Sequence, residues 1–158
     1  SPARRPKPVK HQPKGKEDGI VKSQKILLTW LIEDVSIFRQ IEPYITPSDF
    51  SGDLYRTVAA LLYEQYQAGD VNPAKIINHF TDEEEHREVS SLFHTKIREL
   101  TTVKEQEKAL KETVLRVKSH SIEEATRNLD PTDMLGLQRL MEVKSKMQDI
   151  QKLHISVN

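Results

Sequence analysis

The sequence predicts an all-α protein, a multi-helix bundle followed by a C-terminal helical hairpin. Three observations carry that prediction. Apolar residues recur at helical spacing from Ile26 to Ile150. No stretch of about four to eight residues alternates apolar and polar between turn signals, as a half-buried strand would. The balance of 36% apolar to 30% charged residues suits a small core under a well-solvated surface. No internal repeat is evident.

Residues 1–18 read as a linker. Pro2, Pro6, Pro8 and Pro13 are half the prolines of the chain, and they deny backbone donors and disfavour helix. Arg4, Arg5, Lys7, Lys10, Lys14 and Lys16 make this stretch basic, with no acid before Glu17. With so little apolar surface to bury, disorder is expected. A net charge of zero therefore hides an asymmetry. Without those six cations the rest of the chain holds 18 basic against 24 acidic residues, a net of −6. Phosphate neutralisation dominates duplex DNA binding, so an acidic body predicts no or weak direct contact with nucleic acid.

The bundle is predicted over residues 19–118. Ile26, Leu27, Trp30 and Leu31 form one helical stripe, and Ile37, Phe38, Ile41, Tyr44 and Ile45 continue the same period until Pro43 and Pro47 end it. Thr46-Pro47-Ser48-Asp49 has the form of a helix start, with a hydroxyl cap, proline at the first position and an acid near the dipole. The helix that follows turns Phe50, Leu54, Val58, Leu61, Leu62 and Tyr66 inward and stops at Gly69. Asn72-Pro73 opens a short helix carrying Ile76, Ile77 and Phe80. Thr81-Asp82-Glu83-Glu84 is a capping box for a helix that buries Val89, Leu92, Phe93, Ile97 and Leu100.

The last third differs in kind. Residues 103–128 contain no proline, glycine or aromatic, and Leu110, Val114 and Val117 share a face with Val103. Glu107/Lys111 and Glu112/Arg116 are spaced for i,i+4 support. Ser119-His120-Ser121 predicts a kink or break, and so a hairpin unit over residues 119–158. Leu129-Asp130-Pro131-Thr132-Asp133 reads as its tight turn. From Asp133 a final helix runs nearly to the end, with Leu140, Val143, Met147 and Ile150 as its seam and Met134, Leu137 and Met141 as an adjoining stripe. Ten apolar residues fall between Met134 and Ile155, more than one face can hold. The surplus must pack back on the bundle or meet a protein partner. All three methionines of the chain lie there, and methionine suits adaptable surfaces.

The sequence offers no constellation for chemistry. It has no cysteine, which excludes disulfides and thiolate sites and points to a reducing, cytoplasmic setting. No apolar run approaches the roughly 20 residues that span a bilayer. His86 and His94 stand about 80° apart around a helix, not in the i,i+4 arrangement of a helical metal pair. Asp82, Glu83, Glu84 and Glu85 are consecutive at a helix start, where the dipole explains them, rather than converging across a cleft. None of the five glycines builds a phosphate loop, and no nucleophile elbow appears. Trp30 belongs to an apolar stripe and reads as core. The expectation is a chain without catalytic, metal or cofactor residues.

Two segments carry a family resemblance. One is Lys25-Ile26-Leu27-Leu28-Thr29-Trp30-Leu31-Ile32. The other runs from Pro47-Ser48-Asp49-Phe50 through Leu54-Tyr55-Arg56, Leu61-Leu62-Tyr63 and Ala68-Gly69-Asp70 to Ile76-Ile77. In this order and spacing they resemble the helical module shared by the C-terminal domain of bacterial DNA primase and the N-terminal domain of the replicative DNA helicase. The likeness covers about residues 20–156. A Pro/Lys/Arg tail like the primase linker, a terminal hairpin, and no ATPase phosphate loop favour the primase side; an N-terminal oligomerisation domain of a helicase is the alternative. The primase likeness implies a non-catalytic domain, lacking the zinc and polymerase domains, that is monomeric alone and docks its hairpin on the N-terminal domains of the helicase hexamer. The expected contact residues are Leu129, Met134, Leu137, Met141, Met147, Ile150 and Leu153, with Lys144, Lys146 and Lys152 as a polar rim.

Overall fold

The computed structural model describes residues 16–96 and 101–157. Most of the basic tail, and the expected core residues Ile97 and Leu100, lie outside them. Among the described residues there are seven α-helices and one short 3-10 turn: α1 (Lys16–Glu33), α2 (Val35–Ile41), the 3-10 turn (Pro47–Asp49), α3 (Asp53–Ala68), α4 (Pro73–His79), α5 (Glu83–His94), α6 (Val103–Arg127) and α7 (Met134–Lys152). There is no strand among the described residues.

Helix α1 is the axis of the bundle. It packs against α2, α3, α5 and α6, and Leu27, Leu28 and Leu31 have no solvent exposure at all. Within the described residues it reaches back to Lys16, so residues 16–18, read as the end of the linker, are helical. The helical period continues beyond Glu33, but the helix does not. Asp34 turns extended, its carboxylate accepts from the Ser36 amide at 2.9 Å, and α2 begins on that cap. Phe38 then stacks edge-on against Tyr63 at 4.8 Å, and the Tyr63 hydroxyl donates to the Ile45 carbonyl at 2.6 Å. Burial pushes that phenol well above its ordinary range.

The predicted start at Thr46 yields a single 3-10 turn instead of a long helix. Gly52, at φ +86°, bends the chain before α3 begins at Asp53. The side chain of Gln24 grips the bend through both amide atoms, donating to the Ser51 carbonyl and accepting from the Ser51 amide. Gly69 ends α3 and Asn72 caps α4, as expected. The α5 cap is Asp82, one residue later than the capping box predicted. Lys25 of α1 pairs with Glu88 of α5 at 3.1 Å, and the Tyr55 hydroxyl of α3 donates to the same carboxylate. The Tyr55 hydrogen bond, seconded by Lys25, holds the Glu88 carboxyl below its usual value.

No break forms at Ser119-His120-Ser121. Helix α6 runs unbroken through the position where a break was expected. Side chains that could have competed for the helix backbone are engaged elsewhere. Ser121 donates to Asp49 at 2.7 Å, and His120 lies 3.7 Å from Glu124. Lys118 reaches both Asp49 oxygens at 3.1 and 3.2 Å in a buried pair that rivets the middle of α6 to the 3-10 turn. The first half of α6 buries Leu110, Val114 and Val117 in the bundle, while Val103 is exposed. Its second half is one arm of the hairpin. The expected Glu107/Lys111 partnership gives way to tertiary bonds: Glu107 accepts from the Val157 amide, and Lys111 donates to the Gln151 carbonyl.

Helix α7 runs nearly to the end, as expected, and stops at Lys152. Leu153 turns extended, and residues 153–157 leave the helix and pack onto the bundle. Ile155 and Val157 are buried there with Ile150, in one core with the bundle residues.

Candidate functional site: the tip of the helical hairpin

The turn between α6 and α7 is built from its sequence. Asp130 accepts from the amide and hydroxyl of Thr132 at 2.9 and 2.8 Å, and these bonds keep its carboxyl below the usual value. The Asp133 amide closes the turn on the Asp130 carbonyl across Pro131. Asp133 then caps α7 by accepting from the Gly136 amide at 2.9 Å. Gly136 leaves a seat for two neighbours. A Cβ on it would stand 2.5 Å from an Asp133 carboxylate oxygen and 2.9 Å from the Leu129 side chain. Leu129 is thereby half-buried against the first turn of α7.

Helix α7 rests chiefly on α6. Leu140 and Ile150 are buried on the facing side, and Val143 and Met147 are half-buried, which makes the predicted seam real. The opposite side carries Met134, Leu137 and Met141 at i, i+3 and i+7, so they share one face. They are 71%, 40% and 64% exposed, and Leu135 beside them is 67% exposed. The other large apolar residues exposed among the described ones, Val21, Val35, Val71 and Val103, are scattered over separate elements. Three exposed Leu and Met side chains on one face of a helix are unusual; single ones are not. Beyond Met141 the same face turns polar with Ser145 and Gln148, which confines the apolar patch to the tip.

The ten contact residues expected from the resemblance divide into three groups. Met134, Leu137 and Met141 stand in the open, with Lys144 one turn beyond Met141 and Lys146 and Lys152 also exposed. Leu129, Met147 and Leu153 are half-buried, and Leu153 packs against the core. Ile150 is fully buried and presents no surface, because the segment beyond it folds back over the bundle. Leu135 was missed, and a signal for it exists: it lies 100° from Met134, off the seam period altogether. A cleft of about 530 Å³, lined among others by Asp49, Glu124, Leu129 and Arg139, lies between the hairpin and the 3-10 turn.

Elsewhere the described residues hold no group of three or more His, Asp or Glu side chains placed to bind a metal ion. His86 and His94 are both exposed on α5, and the ring of His94 bonds to the Ser90 carbonyl of its own helix. Among the described residues no helix is long and apolar enough to cross a membrane.

The arrangement defines an all-α protein with an exposed apolar surface at one end of a helical hairpin. Comparison with known proteins adds no name to that class: no family model, no curated protein and no solved structure matches the chain.

Proposed function

We propose that this chain is the non-catalytic docking domain of a bacterial DNA primase. In this reading it works in the cytoplasm without a cofactor, binds the N-terminal domains of the replicative helicase hexamer, and couples primer synthesis to unwinding at the fork. The segments around Lys25–Ile32 and Pro47–Ile77 support it by their resemblance to that family. The observation that carries it is the apolar stripe of Met134, Leu137 and Met141 on the side of α7 turned away from α6. Helix-in-groove recognition uses anchors at i, i+3 and i+7, and methionine adapts its shape to the partner. Lys144 beside the stripe would affect association rate more than affinity.

Point substitutions test this better than truncation. Removing the hairpin would also take Ile150, Ile155 and Val157 out of the core. The pair Leu137→Ser and Met141→Ser should weaken binding to the cognate helicase by about tenfold or more, as hot-spot residues do, while the melting temperature holds. Undiminished affinity would remove the reading. Stable self-association of the chain in sedimentation, without helicase binding, would favour a helicase N-terminal domain instead.

A further inference from the structure

The non-helical segment 153–157 is held between Gln40 of α2 and Glu107 near the start of α6. Gln40 of α2 donates its amide to the Ser156 carbonyl at 3.0 Å and accepts from the Ser156 amide at 2.8 Å. Glu107 of α6 accepts from the Val157 amide at 2.8 Å. These three bonds go to main-chain atoms and do not depend on which side chains the segment carries. Ile155 and Val157, two residues apart, are both buried in the core. His154, between α7 and the first buried residue, is exposed and stands 3.7 Å from Glu107. Among the described residues no backbone–backbone hydrogen bond reaches His154–Val157, so side chains alone hold the segment. Main-chain bonds for affinity and pockets for alternate side chains are the elements of extended-peptide recognition.

We propose that the α2–α6 groove is a binding site for extended peptide segments with branched aliphatic residues two positions apart, which this chain fills with its own residues 153–157. Once emptied, the groove takes the same segment from outside. The Gln40 amide is the recognition element, and Glu107 fixes the register by taking the amide of the second buried residue. The proposal does not depend on the docking of α7.

The test uses the full chain with Ile155→Asp and Val157→Asp, which clears the groove, and a fluorescein-labelled peptide of residues 151–157. The peptide should bind the cleared chain saturably and the parent about tenfold more weakly or not at all, because the parent's groove is occupied. Adding Gln40→Ala to the cleared chain should cost about fivefold or more, from two lost hydrogen bonds. If the cleared chain loses helical ellipticity, the peptide should restore it. Equal binding by parent and cleared chains, indifference to Gln40→Ala, or a cleared chain that neither binds the peptide nor refolds with it overturns the proposal.

Discussion

Helices α1 and α7 are almost the same length, 18 and 19 residues, and both are rich in leucine, yet they live in opposite surroundings. Four helices surround α1, so its leucines are sealed on more than one face, and even the polar Gln24 and Thr29 are buried with their hydrogen bonds satisfied. Helix α7 leans chiefly on α6. Its seam is covered, and its far face is open, with Met134, Leu137 and Met141 exposed there and Leu135 exposed on the flank. In α1 surplus apolar residues add to the core. In α7 they remain as surface. What an apolar side chain does therefore depends on how many neighbours its helix has, not on its own periodicity.

The largest effect is expected at the rivet that ties α6, the support of α7, to the 3-10 turn of the bundle. Asp49→Ala leaves the Lys118 ammonium buried without its partner and should cost about 3–5 kcal/mol in chemical denaturation. Asp49→Ala combined with Lys118→Met should cost clearly less than Asp49→Ala alone, since no unpaired charge remains. A double variant as unstable as the single one would place the cost in the other bonds that Asp49 accepts, from the Thr46 amide at 2.8 Å and the Ser121 hydroxyl at 2.7 Å. Next in size, Leu28→Ala in α1 should cost about 2–5 kcal/mol, the range for a fully enclosed leucine. Gly136→Ala, which forces a methyl into the space of Asp133 and Leu129, should cost about 1–3 kcal/mol and speed amide exchange around the hairpin turn before that of α1. At the small end, Met141→Ala should change stability by no more than about 0.5 kcal/mol, because the side chain is already in water. A large loss there would mean that the open face of α7 is covered after all.

The acid limb of stability sharpens the comparison further, since it belongs to the bundle. The Glu88 carboxyl is held below its ordinary value of 4.5 by the Tyr55 hydroxyl and Lys25. A carboxyl depressed in the folded state contributes stability that is complete above its unfolded value and fades as pH falls through the folded one. Melting temperatures of the parent should therefore drop more steeply below about pH 4.5 than those of Glu88→Gln. Parallel curves would show that the Tyr55–Glu88–Lys25 group adds nothing to folding.

Much of the helix inventory was legible in advance, because caps and breakers act over a few residues. Asn72-Pro73, Gly69, Asp130-Pro131 and Asp133 all mark ends where the sequence placed them. The errors share one cause. At Asp34 and at Ser119-His120-Ser121, the outcome depended on partners distant in sequence or on competition between two local signals. The helical period carried across Asp34, but its carboxylate found the Ser36 amide. The serine and histidine of α6 found Asp49 and Glu124 and left the helix unbroken. Beyond the last helix, residues 153–157 found Gln40. The hairpin's seam was readable from spacing alone. Which of the remaining apolar residues stayed in the open was not, since Ile150 and Met141 look alike in a periodic pattern.

By itself, then, the sequence determined the all-helical character, the turn at Pro131 and the excess of apolar residues in the last helix, because these follow from backbone preferences and side-chain spacing. Only the tertiary structure decided how that excess was divided. The far end of α7 and the segment after it fold back against the bundle and lose their water. Met134, Leu135, Leu137 and Met141 in the first two turns have no such cover and keep theirs.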